Sequence, residues 1–148
     1  MSQETSRIEK TILLNRSPEQ VWEYISDPRN DPHWCKRVLS VEQIAGDRPG
    51  PAARYRVIHR PTRLKRPKRL DVTIEEFEPP QRMRMREEGD DGVFDVTYVL
   101  EPTGARTRLA QHDEIAWKIP RLQRPIANSM VGRDIVDQLS RLKRLLES

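Results

Sequence analysis

The sequence of 148 residues predicts one α+β domain: an antiparallel sheet of about seven strands, two short helices after the first strand, and a long C-terminal helix. Three observations predict it. Runs of alternating apolar and polar residues recur between turn residues. The end of the chain switches to helical spacing. After the first run, Ser17-Pro18-Glu19-Gln20-Val21-Trp22 carries the marks of a helix start.

In the first run Ile8, Lys10, Ile12 and Leu14 share one face. Ser17 then suits an N-cap, Pro18 the first helical position, and Gln20 the capping box. Asp27-Pro28 stops that helix, and Trp34 lies just beyond. Strand-like runs follow at Val38 to Ile44 and Ala53 to Arg60. In Leu70 to Phe77, Leu70, Val72 and Ile74 share a face. Arg82 to Glu87 sets Met83 and Met85 against Arg82, Arg84 and Arg86. Val93 to Leu100 places Phe94, Val96, Tyr98 and Leu100 together. Arg106 to Trp117 does the same for Leu109, Ile115 and Trp117. Turn residues separate these runs, and Asp91-Gly92 suits the positive backbone angles of a hairpin tip. Near the C-terminus Ala127, Val131, Ile135, Leu139, Leu142 and Leu146 form one stripe at spacings of three and four. Arg141, Lys143 and Arg144 near its end suit the helix dipole. Pro120 and Pro125 belong before this helix or in its first turn.

Composition narrows the function classes. Cys35 is the only cysteine, which rules out an intrachain disulfide. The N-terminus is polar, and no segment is long and apolar enough for a bilayer span, so a cytoplasmic protein is expected. The net charge of +4 permits an acidic partner without demanding one. The histidines are His33, His59 and His112. His33-Trp34-Cys35 lacks a second pair of ligands, so neither a metal nor another cofactor is expected. No Gly-rich phosphate loop and no serine nucleophile elbow occur, which disfavours nucleotide enzymes and covalent hydrolases.

The pieces Leu14-x-x-Ser17-Pro18-Glu19-x-Val21-Trp22, Asp27-Pro28, Trp34, Glu78-Pro79-Pro80, Gly104-x-x-Thr107-Arg108-Leu109 and Leu142-Lys143-x-Leu145-Leu146-Glu147 occur in this order along the chain. In order and spacing the chain resembles the polyketide cyclase/dehydrase-like members of the START/Bet v 1 (SRPBCC) superfamily. It departs from their pattern where Ala105 and Arg106 interrupt the Gly-Thr pair of the last hairpin. The resemblance covers essentially all of residues 1–148 and implies a helix-grip fold, a curved sheet wrapped on the long helix. It also implies a cavity between the two for a hydrophobic or aromatic small molecule. Polyketide cyclase or dehydratase chemistry is one expectation, and a non-catalytic lipid or quinone carrier or sensor is another.

Given such a cavity, polar residues on apolar faces become candidates. Gln111 and Asp113 share the face of Leu109, Ile115 and Trp117. Pointing inward, Asp113 is a candidate acid or base. The plainer reading is a twist or bulge that exposes Asp113, buries Ala110 and Ala116, and turns His112 and Glu114 inward. Tyr98 and His59 complete the candidate catalytic set, as a hydroxyl donor and a proton carrier. Simple packing is the plainer reading for each tyrosine. Candidate ligand contacts are Trp34, Tyr55, Val57, Ile74, Met83, Met85, Phe94, Val96, Gln111, Asn128 and Val131. Trp34 either closes one end of the cavity or wedges between short helix and sheet.

One charge feature stands apart. Arg60, Arg63, Lys65, Arg66, Lys68 and Arg69 fall in a single segment with no acidic residue. Pro61 and Pro67 keep it from being a regular central strand. It reads as a long exposed connection. A solvated loop is the plain reading, and docking to an acyl carrier protein or anionic surface is the functional one. Interleaved aromatics are missing, so nucleic acid is not expected.

Overall fold

The computed structural model describes residues 5–148. Its strands are β1 (Ser6–Leu14), β2 (Val38–Ala45), β3 (Arg54–His59), β4 (Lys68–Glu78), β5 (Arg82–Gly89), β6 (Gly92–Thr103) and β7 (Arg106–Trp117). Its α-helices are α1 (Pro18–Ile25) and α2 (Arg124–Glu147), and 3-10 helices span Pro28–His33 and Arg121–Gln123. The strands form one seven-stranded sheet in the order β1-β7-β6-β5-β4-β3-β2. Every pairing is antiparallel. This is the helix-grip arrangement.

Local chemistry explains each element. α1 starts on a full capping box: Gln20 N–H donates to Ser17 Oγ at 3.2 Å, and Ser17 N–H donates to Gln20 Oε1 at 3.0 Å. Asp27 then caps the 3-10 helix, accepting from Arg29 N–H at 3.0 Å. The alternation of β5 follows the sheet's two faces. Met83 and Met85 are buried, while Arg84 reaches Asp95 at 3.1 Å and Arg82 reaches Glu76 at 3.0 Å on the outer face. A register shift between Ile74 and Glu76 changes the parity of β4. Leu70, Val72 and Ile74 face the core before it. Phe77 faces the core after it, edge-on to Trp22 with ring centroids 5.2 Å apart. Such bulges bend a strand and help the sheet curve.

The C-terminal stripe packs on the concave face. Ile135, Leu139 and Leu142 are buried, and Val131 and Leu146 lie half-buried against the same core. Polar contacts pin the helix to β1: Lys143 Nζ donates to the Leu13 carbonyl at 2.9 Å, and Asn15 donates to Glu147 at 2.6 Å. Arg37, just before β2, meets Asp134 of α2 at 3.3 Å.

Two expectations need correction. β4 begins at Lys68, so the exposed connection is 60–67 and not 60–69. Lys68 and Arg69 are strand residues because their backbones pair with His59 and Ile58 of β3; their side chains meet Asp91 at 2.9 Å and Asp71 at 3.0 Å. The β5–β6 hairpin does not place Gly92 in the left-handed region; among described glycines only Gly46 and Gly104 have positive φ. Gly92 pairs with Gly89, and a Cβ on it would stand 2.7 Å from the Ala116 carbonyl oxygen. The glycine is needed there for close approach of β7.

Candidate functional site

Between the sheet and the first half of α2 lies a cavity of about 400 Å³. That size suits a small organic ligand. Its apolar walls include Leu70, Phe94, Val96, Val131 and Ile135. Its polar set was only partly expected.

β7 turns Gln111 and Asp113 inward; they are 3% and 7% exposed. The strand keeps an unbroken register with β6 and β1 through this region, so no bulge flips it. His112 and Glu114 face outward instead, where His112 lies 3.6 Å from Glu9 and Glu114 lies 3.6 Å from Arg7. Gln111 fixes the buried carboxyl: its Nε2 donates to Asp113 Oδ1 at 3.0 Å. Gln138 of α2 reaches across and donates to Gln111 Oε1 at 2.8 Å. Burial pushes Asp113 up to about 6, with the Gln111 hydrogen bond opposing.

Two carboxyls join it that sequence reasoning did not assign to the cavity. Glu87, the last of the Met83–Met85–Glu87 parity on β5, lines the wall. Burial, with the charge of Asp113 adding, pushes it up to about 8. Asp31, from the 3-10 helix, is raised well above its ordinary value by burial, with Glu87 and Asp27 adding. The indole N–H of Trp34 opposes that shift, although it is not aligned as a full hydrogen bond. Cys35 also lines the cavity, and burial, reinforced by the Asp31, Glu87 and Asp113 charges, holds its thiol well above the usual range. Glu87 shares a face with two methionines, and that parity was a usable signal. Asp31 and Cys35 sit in irregular backbone, where no periodicity points the way.

The expected residues divide. Tyr98, His59, Asp113, Phe94, Val96, Gln111 and Val131 line the cavity. Tyr98 is 4% exposed and packs a tilted ring 6.0 Å from Trp34. Burial pushes its hydroxyl well up, with the nearby carboxyls adding. His59 is lowered by burial and stands with Lys68 and Asp91 towards the opening. Trp34, Tyr55, Val57, Ile74, Met83 and Met85 are buried in the core and do not line the cavity. Trp34 therefore takes the wedge position. Asn128 also stands outside the wall, where its Oδ1 accepts from Trp117 Nε1 at 2.7 Å and orients that lining indole.

The opening has its own character. From the 60–67 segment Pro61, Thr62 and Lys65 border the cavity, as do Ile119 and Ile126. Arg60 and Arg63 border a neighbouring depression with Leu64, and Arg66 is exposed. Leu64 is 97%, Leu122 93% and Ile126 69% exposed, so an apolar fringe is mixed with cations here.

A curved sheet gripping a long helix over a cavity defines a helix-grip protein. The sequence matches the family described as "Polyketide cyclase / dehydrase and lipid transport" over residues 5–147, and the chain belongs to that family. Similar solved structures include a protein of Thermus thermophilus, with a TM-score of 0.80 and 21% identity over 95% of this chain and 97% of that one. A Streptomyces aromatase/cyclase gives 0.80 at 14% identity, over 97% and 94%. A START superfamily protein of Mycobacterium smegmatis gives 0.82 at 16% identity, over 95% and 97%. At these identities they share the fold. No curated protein matches the sequence. No helix among the described residues is long and apolar enough to cross a membrane.

Proposed function

We propose that the chain binds a hydrophobic small molecule between the sheet and α2, with the ligand's polar end at Glu87, Tyr98 and Asp113. One observation carries this: a cavity of about 400 Å³ joins apolar walls to a few converging polar groups. An apolar fluorescent dye should bind with a stoichiometry near one per chain and be displaced by an aromatic polyketide or a fatty acid. Absence of saturable binding would remove this reading.

A second reading is proton transfer on the bound molecule, of the polyketide cyclase/dehydrase type. It is favoured by two carboxyls in one cavity whose pKa values stand at about 8 for Glu87 and about 6 for Asp113. Near neutral pH one holds its proton and the other has released it, which separates acid from base. Asp113 then takes the proton, Glu87 supplies one, and the Tyr98 hydroxyl steadies developing negative charge. His59, nearer the opening, exchanges protons with solvent. On a reactive polyketide, Asp113→Asn should lower turnover by about a hundredfold or more while ligand affinity holds. Unchanged turnover would leave a carrier or sensor. For a partner, the exposed cations Arg60, Arg63, Lys65 and Arg66 suit an acyl carrier protein or an anionic surface at the cavity's opening.

A further inference from the structure

The cavity's charge runs opposite to that of the whole chain, whose formal net charge is +4. Asp31, Glu87 and Asp113 all line it. The cations Arg37 and Lys68 on the same walls are already paired with further carboxylates that line it, Asp134 at 3.3 Å and Asp91 at 2.9 Å. Lys65 belongs to the exposed segment at the opening. Asp113 has one hydrogen bond, from a neutral amide. Glu87 has none within the described residues. Tyr98 adds a neutral polar group. It is 4% exposed and lines the cavity. Its hydroxyl is not sealed off without a partner, as that of Tyr55 is, so it stays available to a group in the cavity. The walls also offer aromatic faces, with Phe94 edge-on to Trp117 at 5.4 Å.

We infer that the cavity selects a hydrophobic organic cation, an apolar body carrying a protonated amine that is held among Glu87, Asp113 and the Tyr98 hydroxyl oxygen. Carboxylates in an apolar enclosure are stabilised by a cation that the protein itself does not supply. An ammonium donates to carboxylate and phenol oxygens and is attracted to aromatic faces. Burial raises the pKa values of both Glu87 and Asp113, and no cation of the chain offsets it. No three His, Cys, Asp or Glu side chains among the described residues come close enough to hold a metal ion. This inference rests on the cavity being a ligand site and is independent of the proton-transfer reading.

Calorimetric titration at pH 7 with naphthylmethylamine, naphthylmethanol and naphthoate tests it, because the three share one apolar body. The amine should bind about tenfold or more tighter than the alcohol, with the carboxylate weakest. Asp113→Asn removes the carboxyl that is ionised at pH 7 and should collapse the amine-to-alcohol ratio towards one. Glu87→Gln should lower the ratio as well and serves should the first variant not fold. Equal or tighter binding of the alcohol or carboxylate would overturn the inference, as would a ratio that neither variant changes. If none of the three binds, and the neutral apolar dye does not bind either, the ligand-site reading itself fails. Dye binding without amine preference overturns the cation inference alone.

Discussion

Glu87 is the residue at which local propensity and global fold disagree. It continues the inward face of Met83 and Met85, but a carboxylate there meets apolar surroundings and the charge of Asp113. Its pKa of about 8 in the folded state exceeds its ordinary 4.5. The folded chain therefore holds this proton more tightly than the unfolded chain. The stability it contributes is complete below the unfolded value and is lost as pH rises through the folded one. Glu87→Gln should gain roughly 2–4 kcal/mol over the parent at pH 9 and roughly nothing at pH 4. Urea denaturation at the two pH values checks this, and an equal shift at both would contradict it. The same residue marks a limit of sequence reading. Asp113 stands out as a polar break in an apolar face, but a twist or bulge is the plainer reading of it from sequence, and only the unbroken strand register overturns that. Glu87 was masked by the arginines it alternates with. Asp31 and Cys35 lie in irregular backbone, where the direction of a side chain depends on tertiary packing.

At the scale of elements, the periodic segments were legible and their ends were not. The stripe packs on the sheet from Ile135 onward, where Ile135, Leu139 and Leu142 all reach the core, while Ala127 and Val131 at its start line the cavity. Leu139→Ala should cost roughly 2–5 kcal/mol. A loss below about half a kcal/mol in chemical denaturation would mean that α2 does not rest on the sheet. The capping box after β1 was equally readable, since its chemistry is local. The exposed basic segment ends earlier than its composition predicts, because backbone pairing with His59 and Ile58 places Lys68 and Arg69 in β4. The exposed part should act electrostatically. Replacing Arg63, Lys65 and Arg66 with Ser should weaken binding to anionic vesicles or an acyl carrier protein, with a steep salt dependence in the parent. Melting temperature should hardly move, because these side chains are exposed. Unchanged binding to both partners would make the segment a solvated loop.

For the whole molecule, the order of elements carried the fold, since alternation and helical spacing together specify a sheet and a helix to cover it. The cavity itself is not legible in the periodicity, and only the family resemblance implies it. It arises from how far the curved sheet stands off the first half of α2, and the packing of many side chains sets that distance. The central claim is that this space holds a ligand. The most direct test is a titration of the parent and Ala127→Trp with an apolar fluorescent dye, because Ala127 lines the cavity from α2 and lies outside the buried core. The predicted result is one saturable site per chain in the parent and its loss in the filled variant, with folding intact by circular dichroism. Equal binding in both proteins, or none in the parent, would contradict the claim.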